Sequence, residues 1–599
     1  MLDVTRFMVP AAFALAAALS AQTSLMPLKE VRAGMRGIGR TIFSGNRIDE
    51  FQVEILGVLD NIGPKQSLIL ARLSGGPLEH TGVMQGMSGS PVYIDGKLVG
   101  AVAMAFPFAK DPIAGIRPIE EMLKVEAAAG PGTVQRAALA WGGVPQRISI
   151  GDRDLTRVFR KPEPIGSGES RMVDIATPLA FSGFSRATLD AFAPQLRELG
   201  LAPAQAIAPG ADIAPRMGNP ADLKPGSMIS VQLMAGDLSV GADGTVTYID
   251  GNHVYAFGHR FLAVGSTALP FARSEVITLL PNVNTSFKLS VAKEWMGVID
   301  QDRETAVAGE LGRRPAMAPV SIAVSRAGRT IDSYHMQMIN DPLLSPLLTQ
   351  MAVFSVIDAT ERSVGAASIR VSGQIEFQNA PAPVRIDNIF AADNGAAAQV
   401  SLWAAVPVAY VLQSSFSTLQ LKNVALRVEA LDQRKALTID TVVASRPQVR
   451  PGEKLRVDVV LAGVNGSEVT RSVEYAVPIG APAGPLYITV ADAATANLTD
   501  FRQILATTAH SPGELIATIN NLHPNNKAYV RFWRVDPAFQ LEGADLPDPP
   551  PSVALVLANS QPNVAGITQV RNSKVAEIEI DAGEMYVSGA KTILAEVKE

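Results

Sequence analysis

The chain has 599 residues and a net charge of −5 at neutral pH. No run of basic residues with interleaved aromatics occurs, so the electrostatic footprint of a nucleic-acid binder is missing. A hydrophobic fraction of 47% and a charged fraction of 18% describe folded globular material, and the lack of any cysteine excludes thiol catalysis, thiolate metal sites and disulfides.

The length alone suggests roughly four domains. The first 21 residues have the shape of a secretory signal peptide: one arginine, an apolar run from Phe7 to Leu19, then small residues with cleavage after Ser20 or Ala21. That run is shorter than the roughly 18–20 residues a membrane-spanning helix needs. No other segment is long and apolar enough to span a bilayer. The expectation is an exported protein, secreted or periplasmic, with no transmembrane span after cleavage.

Residues 22–130 read as a first β unit. "FQVEILGVL" alternates apolar and polar positions, as a half-buried strand requires. "SPVYIDGKLVGAV" reads as strand, Asp-Gly turn, strand. A helix is expected over Ile116–Ala129. Residues 131–225 form a mixed insert rich in Pro and Ala, with a helix over Ser185–Gly200 between a Ser cap and a Gly stop. Residues 226–330 form a second β unit, where "TVTYIDGNHVYAFGH" repeats the hairpin scheme with its turn at Asp250-Gly251-Asn252. Residues 331–435 are expected to be β-rich. Residues 436–545 carry short strands at the spacing of an Ig-like β-sandwich. Residues 546–599 are expected to be a C-terminal tail, introduced by the stiff "DLPDPPPS" linker at 545–552.

The chemistry concentrates in "GVMQGMSGSPVYIDGKLVGAV", Gly82 to Val102. A serine between glycines, followed by a proline and a hairpin, is how a β-barrel serine peptidase presents its attacking oxygen. Glycine lets the backbone turn its N–H groups toward an oxyanion. Ser88 is the candidate nucleophile, with the amides of Gly86 and Ser88 as the oxyanion hole. Ser90 is the competing serine. Six histidines can supply a base, and His80 lies nearest in sequence. HExxH and paired-histidine motifs are absent, as is a phosphate-binding loop, so no metal and no cofactor is expected. Glu120 and Glu121 read as a solvated helix face.

"TGVMQGMSGSPVYIDGKLVGAVAMAF", with the later "KDPIAGIRPIEEML" and the upstream "GMRGIGRTIFSGNRIDEFQVEILGV", resembles the serine-bearing segment of the stage IV sporulation protein B (SpoIVB) family of serine peptidases. The family resembles chymotrypsin-like enzymes, and "GMSGSP" resembles their "GDSGGP", with Met87 at the acidic position. The resemblance implies a mainly β fold: a chymotrypsin-like double β-barrel built from two separated halves, here followed by the C-terminal sandwich. It also implies a base in a "GH" segment, which this chain has at His259 in "GNHVYAFGHRFLAVGS". "TSFKLSVAKEWMGVIDQDRETAVAGELG" continues that resemblance. The halves stand in permuted order, serine first. The family's acid position, counted back without gaps, falls on Leu73 beside Ser74, and neither is acidic. Asp302 is the preferred substitute, with Asp300 and Asp250 as alternatives. A PDZ domain, which the sporulation enzyme carries, is not visible.

Two functions follow from different classes. One is an exported serine endopeptidase of narrow specificity, acting on a protein or peptide and binding an envelope partner through its C-terminal β region. The other is an inactive scaffold that keeps the peptidase fold for binding.

Overall fold

The computed structural model describes residues 23–127 and 173–598, with short breaks in each range, the longest at 206–215. The expected signal peptide and the first part of the mixed insert lie outside the described residues. Among those described, no helix is long and apolar enough to cross a membrane.

The molecule is mainly β. Six antiparallel strands close into a barrel: Arg36–Ser44, Arg47–Gly63, Gln66–Ser74, Pro91–Ile94, Lys97–Ala105 and Ile113–Pro118. Numbered in chain order, they pair 1-2-3-6-5-4 and back to 1. Tight connections enforce this. Asp95 and Gly96 both have positive φ, which matches the twist of the strands a two-residue hairpin joins.

A second set of strands repeats the scheme. It comprises Met228–Gly236, Ser239–Asp250, His253–Ala256, Gly265–Leu280, Phe287–Arg303 and Ala306–Leu311. These also pair 1-2-3-6-5-4 and close back on the first. Ser88 lies between the third and fourth strands of the first ring. His259 lies between the third and fourth strands of the second.

The second ring belongs to a 13-stranded sheet that runs on through Ala318–Arg326, Arg329–Met338, Gln420–Leu431, Ala367–Gln378 and Val384–Ala392. The β-rich reading of 331–435 needs one addition. Leu344–Thr360 and Ala396–Leu412 are helices. They contribute Met351, Val356, Val400 and Val408 to the largest core. The expected helix over Ser185–Gly200 is observed at Arg186–Glu198, with the Ser185 hydroxyl accepting from the Thr188 amide at 3.2 Å. The one expected at Ile116–Ala129 starts later. Ile113–Pro118 is a strand, and short helical turns follow at Ile119–Met122 and Lys124–Ala127.

Beyond residue 435, sheets of four and five strands enclose a separate core. Tyr475 of one sheet stacks on Phe532 of the other, with ring centroids 4.1 Å apart. The expected tail is not separate from these sheets. Ser573–Asp581, Tyr586–Ser588 and Ala590–Val597 pair with strands of the two sheets. Long-range pairing of this kind carries no local sequence mark.

The two rings dock through backbone. The Thr245 amide donates to the Ser88 carbonyl at 2.8 Å, and Gly45 pairs with Val276. Gly89 makes the closest approach. A Cβ there would stand 1.9 Å from the Thr245 carbonyl oxygen and 2.6 Å from the Phe257 nitrogen, at a φ of +91°. Gly89→Ala should therefore lower stability by about 3 kcal/mol, through overpacking and strain together. A thermal-unfolding midpoint matching wild type would show that the rings do not dock this closely.

Candidate active site

The serine turn follows a short helix, Leu78–Thr81. Its amides are used unevenly. Met87 N–H donates to the Met84 carbonyl at 3.2 Å, Gly89 N–H to Val102 at 2.8 Å and Ser90 N–H to Met87 at 2.9 Å. The amides of Gly86 and Ser88 find no acceptor among the described residues, although both residues are buried. Buried N–H groups without a partner are rare in folded proteins. Donors from the second ring hold the turn's carbonyls. Thr245 Oγ1 donates to Gly86 at 2.9 Å and Thr247 Oγ1 to Gly89 at 2.7 Å. The result is a glycine turn fixed by its oxygens, with two amides unspent. Gly86 itself has a φ of +90°.

Ser88 is fully buried, and its Oγ has no hydrogen-bond partner among the described residues. Met87 packs into the core of the first ring, which explains an apolar residue at that position. The competing Ser90 is engaged, donating to Thr41 Oγ1 at 3.0 Å.

His259 is 2% exposed. Its Nδ1 lies 2.7 Å from the Arg260 carbonyl oxygen. A carbonyl only accepts, so Nδ1 carries the proton and the lone pair is on Nε2. That is the tautomer a general base needs. The neighbouring Gly258 faces the first ring, and a Cβ there would meet the Ala101 and Ala103 side chains at 3.2 Å and the Val102 carbonyl at 3.5 Å. Val102 is the same residue that accepts from Gly89. The serine and histidine loops thus converge on one strand of the first ring. The histidine loop is also strained, since Phe257 and Ala263 both have positive φ.

Asp302 is buried and serves the backbone of this loop. Its Oδ1 accepts from Phe261 N–H at 2.8 Å, and its Oδ2 from Leu262 at 2.6 Å and Val264 at 3.4 Å. The imidazole's Nδ1 bond goes to Arg260, so Asp302 shapes the loop that carries His259. Asp300 is half-buried and Asp250 exposed at a hairpin turn. His80 is exposed on the short helix before the turn.

Thr245, Thr247 and Arg117 are among the residues of this site that sequence reasoning misses. Thr245 and Thr247 sit two apart in "TVTY", so both face the serine turn. Arg117 is buried, 3.4 Å from the Gly258 carbonyl through Nε and 3.3 Å from Glu121 through Nη1. Glu121 is therefore paired and buried, not a solvated face. An Arg and a Glu four residues apart in "IRPIEE" were the available signal, but the strand-to-helix change between them hid it.

Burial pushes the Asp302 carboxyl up to about 6, against the lowering by the backbone amides of Phe261, Leu262, Val264 and Ala263. The folded chain thus holds this proton more tightly than the unfolded chain. The stability that the proton contributes is present below about pH 4 and is lost as pH rises through about 6. In urea unfolding, the stability advantage of wild type over Asp302→Asn should widen from pH 7 to pH 4. Narrowing toward acid would instead mean that the loop amides dominate and the charged form is favoured. At neutral pH the variant should lose about 1–3 kcal/mol, the cost of a buried amide left unsatisfied.

Residues 15–123 match the family model described as SpoIVB peptidase S55. No curated protein and no solved structure matches the chain. The matched span contains the first ring, with Gly86 and Ser88, and ends before the second ring, with His259 and Asp302. The match supports a peptidase of serine type.

Proposed function

We propose that this chain is a serine endopeptidase with Ser88 as nucleophile, His259 as general base and the Gly86 and Ser88 amides as oxyanion hole. The observation that carries this reading is the pair of unspent amides in the turn that also holds the unbonded Ser88 Oγ. Ser88 Oγ attacks the scissile carbonyl carbon while its proton passes to His259 Nε2. The carbonyl oxygen becomes an oxyanion and receives the two amides. Collapse breaks the C–N bond, and the imidazolium returns the proton to the leaving amine. Water, activated by the same histidine, then releases the acyl group.

Two rings of one connectivity, with Ser88 and His259 in equivalent loops, favour a chymotrypsin-like double barrel whose halves stand in permuted order. The orienting acceptor on Nδ1 is the Arg260 carbonyl. A neutral carbonyl stabilises an imidazolium less than a carboxylate does, so a slow enzyme is expected. Asp302 is a positioning residue for the loop. Complete burial of Ser88 favours narrow specificity, because only a substrate able to open the site gains access. The leader-like N-terminus supports processing of an envelope or secreted protein after export. The C-terminal sandwich would then engage an envelope partner.

A fluorophosphonate tests this directly. The Ser88 Oγ–P bond forms, the P–F bond breaks with loss of fluoride, and the proton goes to His259. Mass spectrometry should place the adduct on Ser88 and find none there in Ser88→Ala. His259→Ala should label slower by about 10³-fold or more. Labelling of His259→Ala at the wild-type rate would remove His259 as base. An adduct on Ser90 would move the nucleophile. No adduct on wild type would point to the inactive scaffold.

A further inference from the structure

The fifth strand of the second ring, Phe287–Arg303, starts against the serine turn. Gln85 N–H donates to the Ser286 carbonyl at 2.9 Å, and Lys288 N–H donates back to Gln85 at 3.2 Å. The Lys288 side chain then runs beneath the turn. A Cβ on Gly86 would lie 3.1 Å from its Cδ and 3.4 Å from its Cβ. The lysine stem therefore fills the space that glycine leaves. Its Nζ ends in the first ring, donating to Thr41 Oγ1 at 2.7 Å. Thr41 Oγ1 is also the acceptor for Ser90. Lys288 thus grips the segment Gln85–Ser90 at three points: the backbone of Gln85, the open face of Gly86 and, through Thr41, the hydroxyl of Ser90.

Volume alone does not explain a lysine here. The residue is 4% exposed. Burying an ammonium costs several kcal/mol even after relaxation, and a methionine would fill the same channel without that penalty. The charged groups that face it are Asp243, on the second strand of the second ring, and Asp49, on the second strand of the first. Asp243 is itself buried and accepts a hydrogen bond from Ser290. The Phe43 ring lies 6.0 Å from Nζ. A buried amine able to carry a positive charge therefore lies beneath the turn whose amides are unspent.

Resting on the peptidase reading above, we propose that Lys288 is a positioning residue of this site, which clamps the serine turn and, when protonated, places a positive charge against the turn that would bind the oxyanion. Charge so placed acts in a low dielectric, where it favours the transition state more than the neutral ground state. Burial holds the Lys288 ammonium down to about 7, with Asp243 and Asp49 pulling the other way. Its charge is therefore full well below that value and is lost as pH rises through it.

The test is the rate of fluorophosphonate labelling at Ser88 as a function of pH, with adducts mapped by mass spectrometry. Wild type should give a bell: a rising limb from the base and a falling limb from Lys288. Lys288→Arg keeps the charge at all accessible pH, so the falling limb should vanish while the rate is retained. Lys288→Met should label about tenfold slower or worse at the wild-type optimum and show no falling limb. A wild-type rate that only rises to pH 9 would overturn the proposal. So would variants whose rates and profiles match wild type. Should Lys288→Met fail to fold, the wild-type profile and Lys288→Arg still decide. Absence of any Ser88 adduct in wild type brings down the peptidase reading itself. Adduct formation indifferent to Lys288 brings down this inference alone.

Discussion

The approach of Gly89 to the backbone of Thr245 and Phe257 is the constraint on which the remaining geometry rests. It is a contact between main chains, so no side chain can adjust to soften it. Thr245 and Thr247 can reach the carbonyls of Gly86 and Gly89 only because the two rings stand this close. Those bonds in turn fix the orientation of the turn. The amides of Gly86 and Ser88 are left without acceptors as a result, not through any property of the motif alone. A glycine motif on one ring becomes a candidate site only through its neighbour.

Part of this was legible in the chain. Hairpins such as Asp95-Gly96 are written locally, because two consecutive positive-φ positions demand particular residues. The turn around Ser88 is legible for the same reason. His259 could be singled out by its "GH" segment and the resemblance around it. The partner of its Nδ1 could not, because a backbone carbonyl leaves no mark in a sequence. Asp302 is legible as an acid in the histidine unit, but its bonds to three loop amides depend on strand register. Lys288 carries no such mark, since a single lysine in an alternating strand normally points to solvent. The helices Leu344–Thr360 and Ala396–Leu412 are apolar on nearly every face, which erases the periodicity that marks a surface helix.

Two connected sets of buried polar groups cross between the rings. One runs from Ser90 through Thr41 to Lys288, near Asp243 and its serine neighbours. The other links Arg117, Glu121 and the Gly258 carbonyl. Each joins the first ring to the second through charged or hydroxyl side chains taken out of water. Such contacts contribute little net stability compared with apolar packing of the same volume. They do select one relative placement of the rings, because any slip leaves a buried charge or donor unmatched. Apolar clusters supply the adhesion, and these polar sets supply the register.

The order of the rings has a consequence for biosynthesis. A chain leaves the ribosome, or crosses a membrane, from its N-terminus. The six strands of the first ring close on one another by residue 118, before any strand of the second is made, so this ring can form while the second is still being made. On the proposed assignment, the nucleophile is made well before its base. The nascent chain then carries a serine with no proton acceptor and a turn with no threonines to set it. Chemistry begins only when the second ring is complete and docked, so a truncated or stalled product would be inert toward its surroundings. The reverse arrangement, base first, would also wait for its partner. In this order, though, the waiting half is the one that holds the reactive oxygen, and it waits disarmed.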